Sequence, residues 1–207
     1  MFDTRARRLL GPTLEGAGAR LSDLGVRPLT LTAAGWLAGV GACVAVAQQA
    51  WTLGLLLWVA NRLLDGLDGP VARRRGATDL GGFLDIVADF SIYAGFVVAV
   101  AVAVPEARLG CVALLSAYYV SGSAFLALSS LVERRGDLGR GLTGGHTDDG
   151  RSLRFVGGLA EGAETVLVYA LICLVPGWAV GLVWVFTAAV AVTAVQRIVL
   201  GVRLLAG

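Results

Sequence analysis

Long apolar runs almost free of charge dominate this chain between residues 29 and 195. Apolar residues make up 57% of the sequence and charged residues only 15%, which is typical of a polytopic membrane protein and not of a soluble domain. A chain of 207 residues has room for about six spans of roughly 20 residues each. The predicted spans are Leu29–Ala47, Trp51–Leu64, Phe83–Val104, Leu109–Leu131, Gly157–Val175 and Trp178–Val195.

The first 25 residues lack a continuous apolar core, but their apolar residues recur at helical spacing. The recurring positions are Phe2, Ala6, Leu9, Leu10, Leu14, Ala17, Leu21 and Leu24. This pattern predicts an amphipathic helix over residues 1–25 that lies on the membrane surface, with Pro12 as a site for a kink. Residues 26–207 are then predicted to form one six-helix transmembrane domain.

Arginine placement predicts the orientation of this all-α membrane protein. Arginines precede the first span, follow the second, separate the fourth from the fifth and follow the sixth, whereas only Arg108 falls in an opposite-side connection. Arg62 is read as a charge at the inner end of the second span. The positive-inside rule therefore predicts that both termini, and the ends of the second and third spans that face each other along the chain, lie on the cytoplasmic side.

Two pairs of aspartates border the apolar runs and indicate a metal site. Asp65 and Asp68 are three residues apart, and Asp85 and Asp89 are four apart, so each pair faces one way on a helix. Ionised carboxylates near hydrocarbon are costly and need a counter-charge. Two such helices side by side would form an oxygen-rich site for two divalent ions, Mg²⁺ or Mn²⁺. Helix capping and ion pairs with arginines are the plainer alternative.

The spacing around these aspartates resembles the signature of the CDP-alcohol phosphotransferase family of integral membrane enzymes. It reads D-x-x-D-G-x-x-A-R, seven residues, and G-x-x-x-D-x-x-x-D. The fixed positions are Asp65, Asp68, Gly69, Ala72, Arg73, Gly81, Asp85 and Asp89. Before the first span, Pro28 and Thr32 keep the family's Pro and Thr, but Leu29 stands at its Asn position. The resemblance implies six spans, an N-terminal surface helix and a homodimer in a prokaryotic inner membrane. It also implies that residues 26–207 form the catalytic domain, with its active site on the cytoplasmic side.

The resemblance also implies roles for these residues. Asp65, Asp68 and Asp85 would bind the metal ions, and Asp89 would be the catalytic base with metal contact as well. The implied nucleotide-binding residues are Asp68, Gly69, Ala72, Arg73, Gly81 and Thr32. The small Gly69 and Ala72 would let a nucleotide approach the helix closely, and the Arg73 guanidinium suits a phosphate.

Four charged residues around the start of the fifth span are candidates for binding the acceptor alcohol. Arg151 and Arg154 precede the span and Glu161 and Glu164 open it. The arginines would suit an acceptor that carries its own phosphate. Alternatively, the arginines only set orientation, and the glutamates only favour a helix N-terminus.

The leading hypothesis is a phospholipid-synthesis enzyme that transfers a phosphatidyl group from CDP-diacylglycerol to a small polar alcohol and releases CMP. An alternative within the family is an enzyme that transfers the head group of a soluble CDP-alcohol to a diacylglycerol-type lipid. A third hypothesis, of another class, is a divalent-cation transporter, although transporters place ligands near the bilayer midplane. The expected partners are a CDP-linked lipid donor, a small alcohol acceptor and membrane lipids, with no nucleic acid.

Overall fold

The computed structural model describes residues 2–134 and 162–206, and these ranges form α-helices and two short 3-10 turns without any strand. The predicted all-α class is therefore confirmed for the described residues. The 3-10 turns, Pro105–Ala107 and Pro176–Trp178, each lead directly into a helix. The helices are α1 (Phe2–Asp23), α2 (Pro28–Ala47), α3 (Trp51–Arg75), α4 (Asp79–Ala103), α5 (Arg108–Arg134), α6 (Gly162–Leu174) and α7 (Ala179–Ala206).

Four of these segments are long and apolar enough to cross a bilayer. They are Pro28–Ala47, Asp79–Ala103, Pro105–Leu131 and Pro176–Leu205. The described part of α6 is apolar but only 13 residues long, and the second half of α3 carries the first two aspartates and three arginines. The chain is thus an integral membrane protein, and the count of six spans remains a prediction.

The helices run further than the predicted spans. Helix α3 continues past Leu64 to Arg75, and α4 begins at Asp79, before the predicted Phe83. Only Gly76–Thr78 connect them. Gly76 has a φ of 95°, which favours glycine at a helix end, and the Thr78 hydroxyl caps α4 by accepting from the Gly81 N–H at 3.1 Å.

Close contacts through small residues hold α2 against α3 and α4. A Cβ atom on Gly39 would lie 2.8 Å from Ile92 Cγ1 of α4, and one on Gly54 of α3 would lie 2.7 Å from Val46 Cγ2 of α2. Such small-residue contacts let membrane helices approach closely, which increases van der Waals contact. Helix α5 packs against α7 on the other side of the bundle.

An aromatic layer forms the centre of the core. Trp58 and Phe96 are fully buried and Tyr169 is nearly so. The Phe96 and Tyr169 rings stack with centroids 4.2 Å apart, and the Trp58 ring lies 5.2 Å from that of Tyr169. Aromatic pairs at these separations stabilise a core beyond the burial of their area. This layer joins α3, α4 and α6 beneath the aspartates.

Helix α1 is one continuous helix through Pro12 and packs along α3. Gly18 of α1 touches Pro70 of α3 so closely that an added Cβ would lie 2.5 Å from the Pro70 Cβ. The helix thus lies beside the part of α3 that carries the motif. Its position on a membrane surface remains a prediction.

Candidate active site

The four aspartates of the motif line a large cavity of about 1740 Å³. Each of the seven helices of the described ranges contributes residues to its wall. Thr32 of α2, Asp68 of α3 and Asp85 of α4 lie on one part of this wall, and Tyr118 of α5 and Arg197 of α7 lie on another. The volume exceeds that of most single small-molecule pockets, so there is room for two substrates at once.

Three of the four aspartates come together as a group of possible metal ligands. One carboxylate oxygen from each of Asp65, Asp68 and Asp85 lies within 4.8 Å of the others. The pairing arises because α3 and α4 turn their three- and four-residue repeats toward each other, as the spacing predicts. A set of hard carboxylate oxygens fits Mg²⁺ or Mn²⁺ better than a softer metal.

Thr32 fixes one of these carboxylates. Its hydroxyl donates to Asp68 Oδ2 at 2.8 Å, and Asp68 is only 8% exposed. Thr32 lies in the first turns of α2, so this bond connects α2 to the aspartates of α3 and α4. A ligand held in one rotamer loses less entropy when it coordinates an ion.

The fourth aspartate, Asp89, has an arginine as its partner. Arg62 Nη2 donates to Asp89 Oδ1 at 2.8 Å, and Arg62 Nη1 lies 3.5 Å from Asp65 Oδ2. Nη1 also donates to the Tyr93 hydroxyl at 2.9 Å. The arginine therefore lies between the base proposed by the family pattern and one of the three grouped carboxylates.

The predicted nucleotide-binding residues all line the cavity. Thr32, Asp68, Gly69, Ala72, Arg73 and Gly81 contribute to its wall. Arg73 lies at the rim, where its guanidinium forms an ion pair with Glu15 of α1. A Cβ on Gly69 would lie 3.4 Å from Arg73 Nη1, so this glycine leaves space beside the guanidinium.

The candidate acceptor residues are only partly described. Arg151, Arg154 and Glu161 lie outside the described residues. Glu164 lies in the first turn of α6, and its neighbours Ala163 and Thr165 line the cavity. Their roles remain predictions.

Two arginines whose positions along the chain were used to predict orientation also line the cavity, Arg62 and Arg197. Arg62 is described above. Arg197 was expected to follow the last span, but α7 continues to Ala206, and Arg197 Nη1 donates to Ser121 Oγ at 2.8 Å. Its guanidinium also lies 5.1 Å from the ring of Phe125. The spacing of Arg62 three residues before Asp65 was a usable signal, whereas Ser121 and Arg197 are 76 residues apart and share no local pattern.

Tyr118 and Ser121 of α5 form hydrogen bonds between helices and also line the cavity. The Tyr118 hydroxyl lies 3.2 Å from that of Tyr169 in α6, and Ser121 bonds to Arg197 in α7. Both residues also line the cavity. They therefore join helices and form its wall at the same time.

Comparisons with known proteins agree with this arrangement. The profile of the CDP-alcohol phosphatidyltransferase family matches residues 26–195. Inner membrane protein YnjF of Escherichia coli (strain K12) is 37% identical over 199 residues, which cover 96% of this chain and 94% of that protein.

A solved structure also resembles this chain over most of its length. It is the crystal structure of Mycobacterium tuberculosis phosphatidylinositol phosphate synthase (PgsA1) with CDP-DAG bound, with a TM-score of 0.69 and 21% identity. The match covers 91% of this chain and 93% of that one, and at this identity it shows a shared fold. With the profile match and the 37% identical relative, the chain belongs to the CDP-alcohol phosphatidyltransferase family, enzymes that transfer phosphate-containing groups within the membrane.

Proposed function

We propose that this enzyme transfers the phosphatidyl group of CDP-diacylglycerol to the hydroxyl of a small polar alcohol and releases CMP. The observation that carries the proposal is that the carboxylates of Asp65, Asp68 and Asp85 lie close together and line the large cavity. The relative solved with CDP-DAG bound supports the choice of donor, because it shares the fold over most of both chains.

The four aspartates would hold two divalent ions, Mg²⁺ or Mn²⁺. Asp65, Asp68 and Asp85 offer oxygens within 4.8 Å of one another, and Asp89 lines the same cavity. When bound, the ions supply positive charge that offsets the negative charge on the two phosphates. Thr32 contributes by holding Asp68 in place.

Asp89 would be the general base. The acceptor hydroxyl gives its proton to the Asp89 carboxylate while its oxygen bonds to the phosphorus bearing the diacylglycerol. The bond between that phosphorus and the bridging oxygen breaks, and CMP leaves with this oxygen and the bond's electron pair. Gly69 and Ala72 leave room for the cytidine nucleotide, and Arg73 would bind its phosphate.

The acceptor would occupy the part of the cavity that lies toward α5, α6 and α7. Arg197 there brings a guanidinium to a wall that also carries Ser121 and Thr165. With Arg151 and Arg154 of the preceding segment, this cation would suit an alcohol that bears a phosphate. Glu161 and Glu164 would hydrogen-bond to its hydroxyl groups.

The topology follows the same proposal. Six spans, α2 to α7, would cross the membrane, and α1 would lie on its cytoplasmic surface. Both termini and the cavity would face the cytoplasm, and two copies of the chain would form a homodimer, as the family resemblance implies.

Cysteines introduced at Ala77 and Glu106, both exposed in their connections, test the orientation. A membrane-impermeant thiol reagent should label Glu106→Cys from outside intact cells and leave Ala77→Cys unlabelled. The reverse result would overturn the orientation.

The activity test is CMP release by the purified enzyme from CDP-diacylglycerol. The acceptor panel is glycerol 3-phosphate, inositol, inositol phosphate and serine. A chelator should abolish CMP release, and added Mg²⁺ or Mn²⁺ should restore it. Asp79→Asn is the matched control, since Asp79 opens α4 next to the Thr78 cap and has no proposed role.

Two results would overturn the proposal. Full activity in excess chelator would show that the aspartates do not work through metal. Head-group transfer from a soluble CDP-alcohol to diacylglycerol, with no CMP formed from CDP-diacylglycerol, would reverse the roles of donor and acceptor.

A further inference from the structure

Arg62 is more deeply buried than is usual for an arginine that only sets the orientation of a membrane protein. Its side chain is only 11% exposed, whereas arginines that set topology normally lie in water beside the headgroups. A buried guanidinium is costly unless its charge and its N–H groups find partners. The described residues around Arg62 supply partners for all three of its nitrogens.

Aromatic rings fix the plane of this guanidinium. Its central carbon lies 4.9 Å from the centre of the Trp58 ring and 5.1 Å from that of Tyr93. A cation held over ring faces in a desolvated place gains attraction from their quadrupoles. Trp58 is itself fixed, since its indole N–H donates to the Val166 carbonyl of α6 at 3.2 Å.

Hydrogen bonds extend this support to neighbouring helices. Arg62 Nε donates to Asn61 Oδ1 at 2.7 Å, and the Asn61 amide donates to the Gly35 carbonyl of α2 at 2.8 Å. Tyr93 is held from the other side, where the Tyr169 hydroxyl donates to its carbonyl at 2.9 Å. The guanidinium is thus fixed by α2, α4 and α6 as well as by its own helix.

We propose that Arg62 is a positioning residue for Asp89. Through its 2.8 Å bond to Asp89 Oδ1 it holds one oxygen of the base, so that Oδ2 is directed at the acceptor hydroxyl. Through Asp65, 3.5 Å away, it also offsets part of the charge of the metal-binding carboxylates. The first statement rests on the proposed base role of Asp89, whereas the second depends only on the position of the charges.

The kinetic test compares Arg62→Gln in two backgrounds. In the otherwise unchanged enzyme, Arg62→Gln should lower kcat by roughly 10- to 100-fold, the usual effect of losing an outer partner of a metal site. The KM for CDP-diacylglycerol should stay unchanged. In the Asp89→Asn background the same substitution should cause no further loss, because residues that act as a unit are not additive.

Control variants separate positioning from folding. Arg62→Lys keeps the charge without the fork and should recover part of the lost turnover. Arg108→Gln removes an arginine from an exposed site at the start of α5 and should behave as the unchanged enzyme. Equal losses of turnover in both Asp89 backgrounds, or a loss of donor binding, would overturn the positioning role.

A thermal measurement tests the charge role without any reaction. In Arg62→Gln the four carboxylates lose their nearby cation, so its Tm without metal should fall below that of the unchanged protein. Mg²⁺ should then raise the Tm of the variant by more than it raises that of the unchanged protein. A Tm deficit that is the same with and without Mg²⁺ would overturn the charge role. If the unchanged protein releases no CMP, the proposed function fails, and this measurement still decides whether Arg62 offsets the aspartate charge.

Discussion

Two ion pairs lie along the same cavity at different depths, and they differ in almost every physical respect. Arg62 and Asp89 are 11% and 28% exposed, whereas Arg73 and Glu15 at the rim are 45% and 50% exposed. The inner arginine is held by two rings and by four polar partners, which are Asn61, Asp65, Tyr93 and Asp89. Among the residues that the structure describes, the outer arginine forms one ion pair, with Glu15.

This difference separates a charge pair that is largely buried in the cavity wall from one that is half exposed at the rim. Breaking a buried pair leaves an uncompensated charge with little water to solvate it, whereas an exposed pair exchanges its partner for water at small cost. We therefore expect substitutions to lose effect from the aspartates outward to the rim.

The largest effect is expected for Asp89→Asn. The change keeps the size of the side chain and one oxygen for Arg62 but removes the base, so turnover should fall by roughly 100-fold or more. Binding of CDP-diacylglycerol should survive, because Asp65, Asp68 and Asp85 can still hold metal. Turnover across a Mg²⁺ titration and donor binding are the two measurements. Wild-type turnover in this variant would remove Asp89 from the role of base.

A somewhat smaller effect is expected for Thr32→Val. It removes the hydroxyl that donates to Asp68 Oδ2, so the Mg²⁺ concentration for half-maximal activity should rise by roughly 10-fold or more. Excess Mg²⁺ should recover most of the turnover. Thr32→Ser keeps the hydroxyl and should need no extra metal. If Thr32→Ser and Thr32→Val had the same metal requirement, the hydrogen bond would not be what positions Asp68.

The contact between α1 and α3 should respond with a change in stability. Gly18→Ala places a methyl group 2.5 Å from the Pro70 Cβ, and such overpacking typically costs about 1–3 kcal/mol. Gly16→Ala is the matched control, since no atom lies within 4 Å of its added Cβ, and it should be neutral or stabilising by about 1 kcal/mol through helix propensity. Thermal unfolding of both variants in detergent measures the difference. Equal Tm values would show that α1 does not depend on this contact.

The smallest effect is expected at the rim. Glu15→Gln removes the carboxylate that pairs with Arg73, which is worth roughly 0.2–1 kcal/mol for an exposed pair. The small loss of stability should vanish at high salt, because screening already weakens the pair. Turnover should remain near that of the unchanged enzyme. A loss as large as that of Asp89→Asn would mean that the rim pair belongs to the catalytic machinery.

The aspartates were predictable because their relation is local. Asp65 with Asp68, and Asp85 with Asp89, lie one turn apart on a helix, and the cost of charge beside hydrocarbon points to a counter-cation. The structure brings Asp65, Asp68 and Asp85 together as that pattern predicts. Membership of the family, also predicted from the motif, is confirmed.

The ends of the helices were less predictable, because hydropathy indicates contact with lipid and not the helical backbone. Helix α3 continues for eleven residues beyond Leu64, since its charged half faces a cavity and neighbouring helices instead of acyl chains. For the same reason Arg197 was placed after a span although it lies inside α7. The Glu15–Arg73 pair joins residues 58 apart, and no periodicity connects such positions.

The short connection between α3 and α4 has a consequence for biogenesis. Only Gly76–Thr78 separate the two helices, and Arg62 and the four aspartates lie within residues 62–89. The hairpin of α3 and α4 therefore carries both the acidic side chains and their cation before α5 to α7 emerge from the ribosome. Closing so short a loop costs little entropy, and an internal partner lowers the penalty of moving carboxylates toward the bilayer. The same arginine that lies beside Asp89, the proposed base, can thus help the hairpin enter the membrane at an early stage of synthesis.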